Sequence, residues 1–124
     1  MGRNAEHDEW RLGGDLLLRL SNEMVRAQKR FFGKGPKTSK SYILDDLVIT
    51  VLRGGITRAE HTLVESGHED EVRDFRQVFE NEMAEPLTRI VEEITGRKVV
   101  NFQSQVMFDP DLVVEIFVFD QPLA

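Results

Sequence analysis

Hydrophobic residues early in the chain recur every three or four positions, a spacing that places them on one side of a helix. The positions are Leu17, Leu20, Met24, Ala27 and Phe31. Asp15 is a suitable N-cap, and Gly33 can end the helix in a left-handed C-cap, after which Pro36 prevents its continuation. The pattern therefore predicts a helix from about residue 16 to Phe32.

After Gly33 the pattern changes to the alternation that is typical of strands. Two apolar segments, Ser41–Leu44 and Leu47–Leu52, flank the pair Asp45-Asp46. Aspartate tolerates the positive φ angles of a tight hairpin turn. A β-hairpin is predicted here, and Gly54-Gly55 ends it.

The helical spacing returns in the second half of the chain. Thr57 and Glu60 have the spacing of a capping box, which predicts a short helix ending near Gly67. A longer helix is predicted over residues 70–95, with a kink or local break at Pro86. We expect its apolar stripe to consist of Val72, Phe75, Phe79, Met83, Leu87, Ile90 and Ile94.

A second hairpin follows, with strands over residues 99–108 and 112–119 around Asp109-Pro110-Asp111. Both strands are rich in β-branched and aromatic residues, which favour strands. Alternation assigns Val100, Phe102, Val106 and Phe108 to one face, and it assigns Asn101, Gln103 and Gln105 to the other.

Two helix-hairpin units of this kind predict the α+β class: a four-stranded antiparallel sheet with helices packed on it. We expect a flexible N-terminal tail over residues 1–15, a single domain over residues 16–120 and a short C-terminal tail over residues 121–124. The strands 47–52 and 112–119 offer more apolar surface than three helices cover, which predicts a homodimer.

Composition indicates the cellular compartment in which this domain folds. The chain has 40% apolar residues and no cysteine, which fits a domain that folds alone in a reducing compartment. No apolar run approaches the roughly 20 residues of a membrane span, and residues 1–10 do not resemble a signal peptide. We therefore expect a cytoplasmic protein.

Charge is distributed unevenly along the chain. The net charge is −6, yet the window Arg26–Lys40 holds six Lys and Arg and no acidic residue, so the remainder carries −12. A basic segment on an acidic domain predicts an anionic partner. The candidate contact residues are Arg30, Lys34, Lys37 and Lys40. The alternative is structural, because cations near the end of a helix are stabilised by about 0.3–1 kcal/mol.

Other candidate chemistry is weaker. The loop 33–40 resembles a phosphate-binding loop only in composition, since it follows a helix and opens a strand. His61 and Glu65 have helical spacing for a metal but lack a third ligand. Gln103 and Gln105, polar within a strand, indicate a wet groove or a face that meets another chain. The sequence thus predicts no catalytic residue, metal site or cofactor.

Several stretches together resemble the MpsC-like family of small bacterial domains. The first are Phe32-Gly33-Lys34-Gly35-Pro36, Asp45-Asp46 before an apolar strand, and Leu52-Arg53-Gly54-Gly55-Ile56-Thr57. The later ones are Glu60-His61-Thr62-Leu63, Thr95-Gly96-Arg97-Lys98-Val99-Val100 and Asp109-Pro110-Asp111. The resemblance covers about residues 19–120. It implies a soluble accessory part of a Na⁺-translocating, membrane-potential-generating system, and it brings no catalytic residues.

We therefore expect a non-enzymatic accessory or regulatory module, cytoplasmic or peripheral at the inner face of the membrane. Its partner would be a protein such as a membrane transporter component, or the membrane surface itself, contacted through the basic loop. The main alternative is a small enzyme or sensor that binds a phosphorylated or carboxylated small molecule at the same loop. Single-stranded nucleic acid is a weaker alternative, because a row of exposed aromatic residues is not evident.

Overall fold

The fold is α+β, as predicted, with three helices and four strands. A computed structural model describes the backbone of residues 2–123 and the side chains of residues 14–123. Met1 and Ala124, which the predicted tails include, lie outside the described residues. The elements are α1 Gly2–Phe32, β1 Thr38–Leu44, β2 Leu47–Arg53, α2 Arg58–Glu65, α3 Glu69–Thr95, β3 Val99–Phe108 and β4 Asp111–Phe119.

The two hairpins join into one antiparallel sheet, which confirms the predicted architecture. The strand order is β1-β2-β4-β3, so the second strand of each hairpin lies at the centre. Helices α1 and α3 pack on one face of this sheet and enclose the hydrophobic core. Among the helices of the described residues, none combines the length and the apolar composition that crossing a bilayer requires.

Helix α1 uses the apolar stripe that the spacing predicted. Leu20, Met24 and Ala27 are buried, and Gly33 ends the helix with a positive φ of 77°. The predicted start is wrong, however: α1 extends from Gly2, so Asp15 lies inside the helix and does not cap it. The helix contains Gly13 and Gly14, and a glycine in a helix interior costs about 1 kcal/mol relative to alanine. A long helix can continue through them despite this cost. The flexibility of residues 1–15 stays a prediction.

Helix α3 buries part of the predicted stripe, namely Val72, Met83 and Leu87, together with residues that the spacing did not select. Its buried residues are Val72, Arg76, Glu80, Met83, Leu87 and Val91. Phe75 is 54% exposed, so its assignment to the core was wrong. The helix also continues through Pro86 without a break. Packing of the neighbouring Met83 and Leu87 in the core compensates for the backbone bond that proline cannot make.

Strand β3 contains an irregularity that the alternating pattern did not predict. The pairing with β4 shifts between Val99 and Asn101, so Val100 is the extra residue of a β-bulge. Val99 is therefore buried and Val100 is exposed, which corrects the predicted inward position of Val100. From Asn101 onward the alternation follows the prediction, with Phe102 and Val106 towards the core.

Candidate functional site

The basic segment after α1 is anchored to the loop that follows β2. The ammonium group of Lys34 donates to the backbone oxygen of Ile56 at 2.9 Å, and the Lys37 backbone N–H donates to the Arg53 oxygen at 2.7 Å. The Lys37 side chain crosses Gly54, where an added Cβ would lie 2.9 Å from the Lys37 Cγ. Gly54 has a φ of 78°, so glycine is required there for both space and conformation.

The other two predicted cations have different neighbours. The Lys40 ammonium lies 5.3 Å from the ring centroid of Tyr42, on the outer side of β1, and Arg30 lies 5.9 Å from the ring of Phe31. The four candidates therefore line one connection of the chain, but each contacts a separate group.

These cations have no internal counter-ion. On α3, by contrast, Arg73, Arg76 and Arg89 all pair with carboxylates. Among the described residues, none of the cations from position 29 to position 40 has a carboxylate oxygen within 4.0 Å. Their charge is thus available to an external anion.

Gln103 and Gln105 lie on the sheet face that the helices do not cover. Both side chains are exposed, and the Gln103 amide donates to the Asn101 side-chain oxygen at 2.8 Å. Across the sheet, Gln105 shares a row with Lys40, and Gln103 shares a row with Tyr42. The two glutamines are therefore part of an exposed surface, in the same cross-strand rows as the outward residues of β1.

A groove between the end of α1, α2 and the start of α3 is the most apolar concave surface described. Its cavity volume is about 520 Å³. It is lined by Phe31, Phe32, Thr57, Ala59, Glu60, Leu63, Glu71, Val72, Phe75 and Phe79. The Phe79 ring contacts those of Phe32 and Phe75, each with a centroid distance of 5.0 Å. The outward rotation of Phe75 creates this groove, which the sequence did not indicate.

A buried ion pair lies beside the groove. Arg76, which is almost fully buried, donates to the two carboxylate oxygens of Glu60 at 2.6 and 2.8 Å and to the Gly55 oxygen at 3.0 Å. Its guanidinium also lies 4.3 Å from the Phe32 ring centroid, within cation–π range. Arg76 thus ties α3 to α2, to the loop after β2 and to the end of α1.

The Glu60 carboxylate takes part both in this ion pair and in the capping box at the start of α2. The predicted capping box is confirmed: Thr57 N–H donates to Glu60 at 3.0 Å, and Glu60 N–H donates to the Thr57 hydroxyl at 3.2 Å. Burial alone would raise the pKa of Glu60, but the bonds from Arg76 and Thr57 hold that pKa below its usual value.

The imidazole of His61 has a different neighbour, with its Nε2 3.6 Å from Asp111 Oδ2. Glu65, which the helical spacing paired with His61, is not within 4.0 Å of the imidazole. Among the described residues, no three His, Asp or Glu side chains are placed to hold a metal ion.

A row of polar side chains crosses the covered face of the sheet, with one residue from each strand. The strand register aligns Ser41, Thr50, Glu115 and Ser104 side by side. The Ser41 hydroxyl is 2.8 Å from that of Thr50 and 2.7 Å from that of Ser21 on α1. We call these four strand residues the polar row.

Gln28 of α1 and Glu80 of α3 place polar side chains above the polar row. The amide nitrogen of Gln28 is 3.4 Å from one oxygen of Glu80 and 3.4 Å from one oxygen of Glu115. Among the described residues, neither of the two remaining carboxyl oxygens has a hydrogen-bond partner. Unpaired polar atoms of this kind are costly inside a protein, so protonation of these carboxyl groups is favoured.

The pKa values of Glu115 and Glu80 are both raised. Burial raises the pKa of Glu115, the negative charge of Glu80 raises it further, and Gln28 opposes the shift. Burial also raises the pKa of Glu80, against the effects of Gln28, Ser104 and Arg76. Because Glu115 is fully buried, a substrate cannot reach it from solvent in this structure. The pair contributes to the interior of the fold and does not form an open catalytic site.

Comparison with known proteins gives one family and two relatives. A family model described as "Na+-translocating membrane potential-generating system (MpsC)" matches residues 14–121. Uncharacterized protein YrhF of Bacillus subtilis (strain 168) is 23% identical over 105 residues, which are 82% of this chain and 86% of YrhF. Uncharacterized protein YbcI of the same strain is 28% identical over 94 residues, 75% of this chain and 76% of YbcI. No solved structure matches this chain.

Proposed function

The chain belongs to the MpsC family, and from this premise we propose that it is a non-enzymatic accessory module of a Na⁺-translocating, membrane potential-generating system. In this proposal it acts at the inner face of the membrane. There it contacts an anionic surface, either a membrane component of that system or the lipid headgroups, through the cations that follow α1.

The observation that supports this contact is that, among the described residues, the cations from position 29 to position 40 have no carboxylate partner. Lys29, Arg30, Lys37 and Lys40 are exposed, and Lys29 and Arg30 lie in the last turn of α1, whose carbonyl groups point outward there. Cations at such an end are favoured without a carboxylate partner. They can therefore keep their charge free for an external anion at little cost to stability.

The groove adds apolar contact next to this charge. Phe31 and Phe32 form part of its lining, directly after Arg30 and shortly before Lys34. Arg58, which is exposed, lies between the lining residues Thr57 and Ala59. A partner segment that combines acidic and apolar side chains would match both the basic segment and the groove, which favours a protein component of the system.

Replacing Arg30, Lys37 and Lys40 together with Gln is expected to weaken binding to the anionic partner while leaving the fold intact. Each charge contributes up to about 1 kcal/mol at an acidic membrane surface. Exposed charges seldom change the free energy of unfolding by more than about 0.5 kcal/mol. The measurements are flotation with anionic vesicles, co-purification with the membrane fraction at two salt concentrations, and a thermal melt. Lys34 is left unchanged because it bonds to Ile56.

The matched control replaces Arg19, Arg89 and Lys98 with Gln, which removes the same number of exposed charges away from the basic segment and the groove. If both triple variants lose binding equally, the net charge and not the basic segment governs association. Binding of the unaltered protein should also fall as salt rises, because exposed charges are screened. Vesicle flotation without dependence on a membrane protein would identify lipid as the anionic surface.

A further inference from the structure

The face of the sheet opposite the helices is apolar at its centre. The outward side chains in the three central rows of β2 and β4 are Leu47, Ile49, Val51, Val114, Ile116 and Val118. We call the sheet surface centred on these six residues the open face. In the part of the chain that the structure describes, the helices that contact the strands lie on the opposite side, so no helix covers the open face.

Charge is nearly absent from the open face. The chain contains 22 Asp and Glu, yet none occupies an outward position of the four strands. The outward cations are Lys40 and Arg53, towards one end of the face. A surface of β-branched residues without carboxylates inside an acidic chain is typical of a face that another molecule covers.

The two edges of the open face differ from its centre and from each other. On β1 the outward residues are Thr38, Lys40, Tyr42 and Leu44, whereas on β3 they are Asn101, Gln103, Gln105 and Met107. The carboxamides both donate and accept hydrogen bonds, and the Tyr42 and Lys40 groups can bond to them. The face therefore has an apolar centre and edges that are polar in their middle rows, where Lys40 and Tyr42 complement Gln105 and Gln103.

We propose that the open face binds the open face of a second copy of this chain, with β1 of each copy over β3 of its partner. A two-fold axis parallel to the strands, between β2 and β4, produces this arrangement. The same rows then meet, so that Ile49 faces the partner's Ile116 and Tyr42 faces the partner's Gln103. Face-to-face packing of two twisted sheets about 10 Å apart is a common arrangement.

The size of the face is consistent with a dimer. Strands β1 and β2 have seven residues each. Four strands about 4.8 Å apart and rising about 3.4 Å per residue cover roughly 19 by 24 Å, or about 450 Å² per copy in projection. A pair thus buries about 900 Å² in projection and more along the corrugated accessible surface, close to the ~1,000 Å² that a specific interface needs. Three carboxamides on one edge suit a protein partner better than an acyl layer.

Sedimentation or light scattering of the full chain tests the proposal. The unaltered protein is expected at twice its mass of 14.3 kDa, and Ile116→Lys is expected at 14.3 kDa at micromolar concentration. Ile116→Thr, which keeps a β-branched residue, should weaken the dimer at least tenfold with an unchanged circular dichroism spectrum. The control Val78→Lys, on an exposed position of α3, should remain a dimer.

Three results would overturn the proposal. The first is an unaltered protein that is monomeric up to about 100 micromolar. The second is a folded Ile116→Thr variant whose dimer is as strong as that of the parent. The third is a monomer that floats with vesicles of neutral lipid and loses this property in Ile116→Lys, which would identify a membrane and not a second copy as the occupant. Of the three cations replaced in the binding test, only Lys40 also lies on the open face, so failure here leaves the proposed contact through Arg30 and Lys37 standing.

Discussion

Replacing Arg76 with Met is expected to lower the free energy of unfolding by about 3–5 kcal/mol, the largest loss that we anticipate for a single change. The guanidinium is almost fully buried and pairs with both oxygens of Glu60. Without it, Glu60 would remain buried as an uncompensated charge, and the carbonyl of Gly55 would lose a donor. Chemical denaturation monitored by circular dichroism measures the effect.

The double variant Arg76→Met with Glu60→Gln distinguishes the cost of an unpaired buried charge from the cost of changing the side-chain packing. Glutamine at position 60 can keep the capping box, because Gln and Glu both serve at that position. We expect the double variant to recover most of the loss, since no unpaired charge remains in the interior. Arg89→Met is the surface control: its pair with Glu85 is exposed, so its loss should cost less than about 1 kcal/mol. An equally small loss for Arg76→Met would mean that the pair is not needed for the fold.

Replacing Glu115 with Gln is expected to stabilise the protein at neutral pH, on the order of 1–3 kcal/mol, because a neutral amide does not have to carry a charge in the interior. Glutamine has nearly the same shape and keeps an oxygen for the Gln28 amide. It also removes the repulsion between Glu115 and Glu80, one cause of the raised pKa of Glu115. The gain is largest where the carboxyl group of the parent would have to ionise.

The pH dependence gives a sharper test than the stability at one pH. A carboxyl group with a raised pKa holds its proton longer in the folded state than in the unfolded state. Stability is therefore full below the unfolded value of about 4.3, and it falls as pH rises through the pKa of the folded state. The difference in unfolding free energy between the variant and the parent should thus grow from pH 5 to pH 8. A difference that is constant across this range would contradict our assignment.

Glu60 makes the stability depend on pH in the opposite direction, because its pKa is lowered in the folded state. Its contribution is present above the unfolded value and is lost as pH falls through the folded pKa. The protein should therefore lose stability in strong acid through Glu60 and at higher pH through Glu80 and Glu115. The two windows are separate, so the Glu115→Gln comparison between pH 5 and pH 8 is not affected by Glu60.

Elements whose signals are local could be predicted from the sequence. Spacing on α1, the capping box at Thr57 and the positive φ at Gly33, Asp45 and Gly96 each act over a few residues. These signals fix where helices end and strands turn, and the α+β sheet follows from the two hairpins. The bulge at Val100 was not predictable in this way, because it depends on how β3 pairs with β4.

The burial of Arg76, Glu80 and Glu115 was not predicted, because charged residues are almost never buried unless they are paired. A stripe chosen by hydrophobicity alone therefore takes Phe75 and leaves out Arg76 and Glu80. A usable signal does exist: Arg76 and Glu80 fall at helical spacing between Val72 and Met83, and Glu115 interrupts an apolar strand. The groove could not be predicted either, since it depends on the rotation of α3 that turns Phe75 outward.

The polar row has a consequence for how the chain finds its correct strand pairing. Inward positions on β2 and β4 are otherwise apolar, so sliding one strand by two residues would exchange Val or Leu for similar side chains and keep both faces. Such a slip would place Glu115 beside Val48 or Leu52 in place of Thr50 and would break up the polar row. We expect misaligned sheets to be penalised from their first contacts during folding, and Glu115→Val to refold more slowly and with more trapped species than Glu115→Gln.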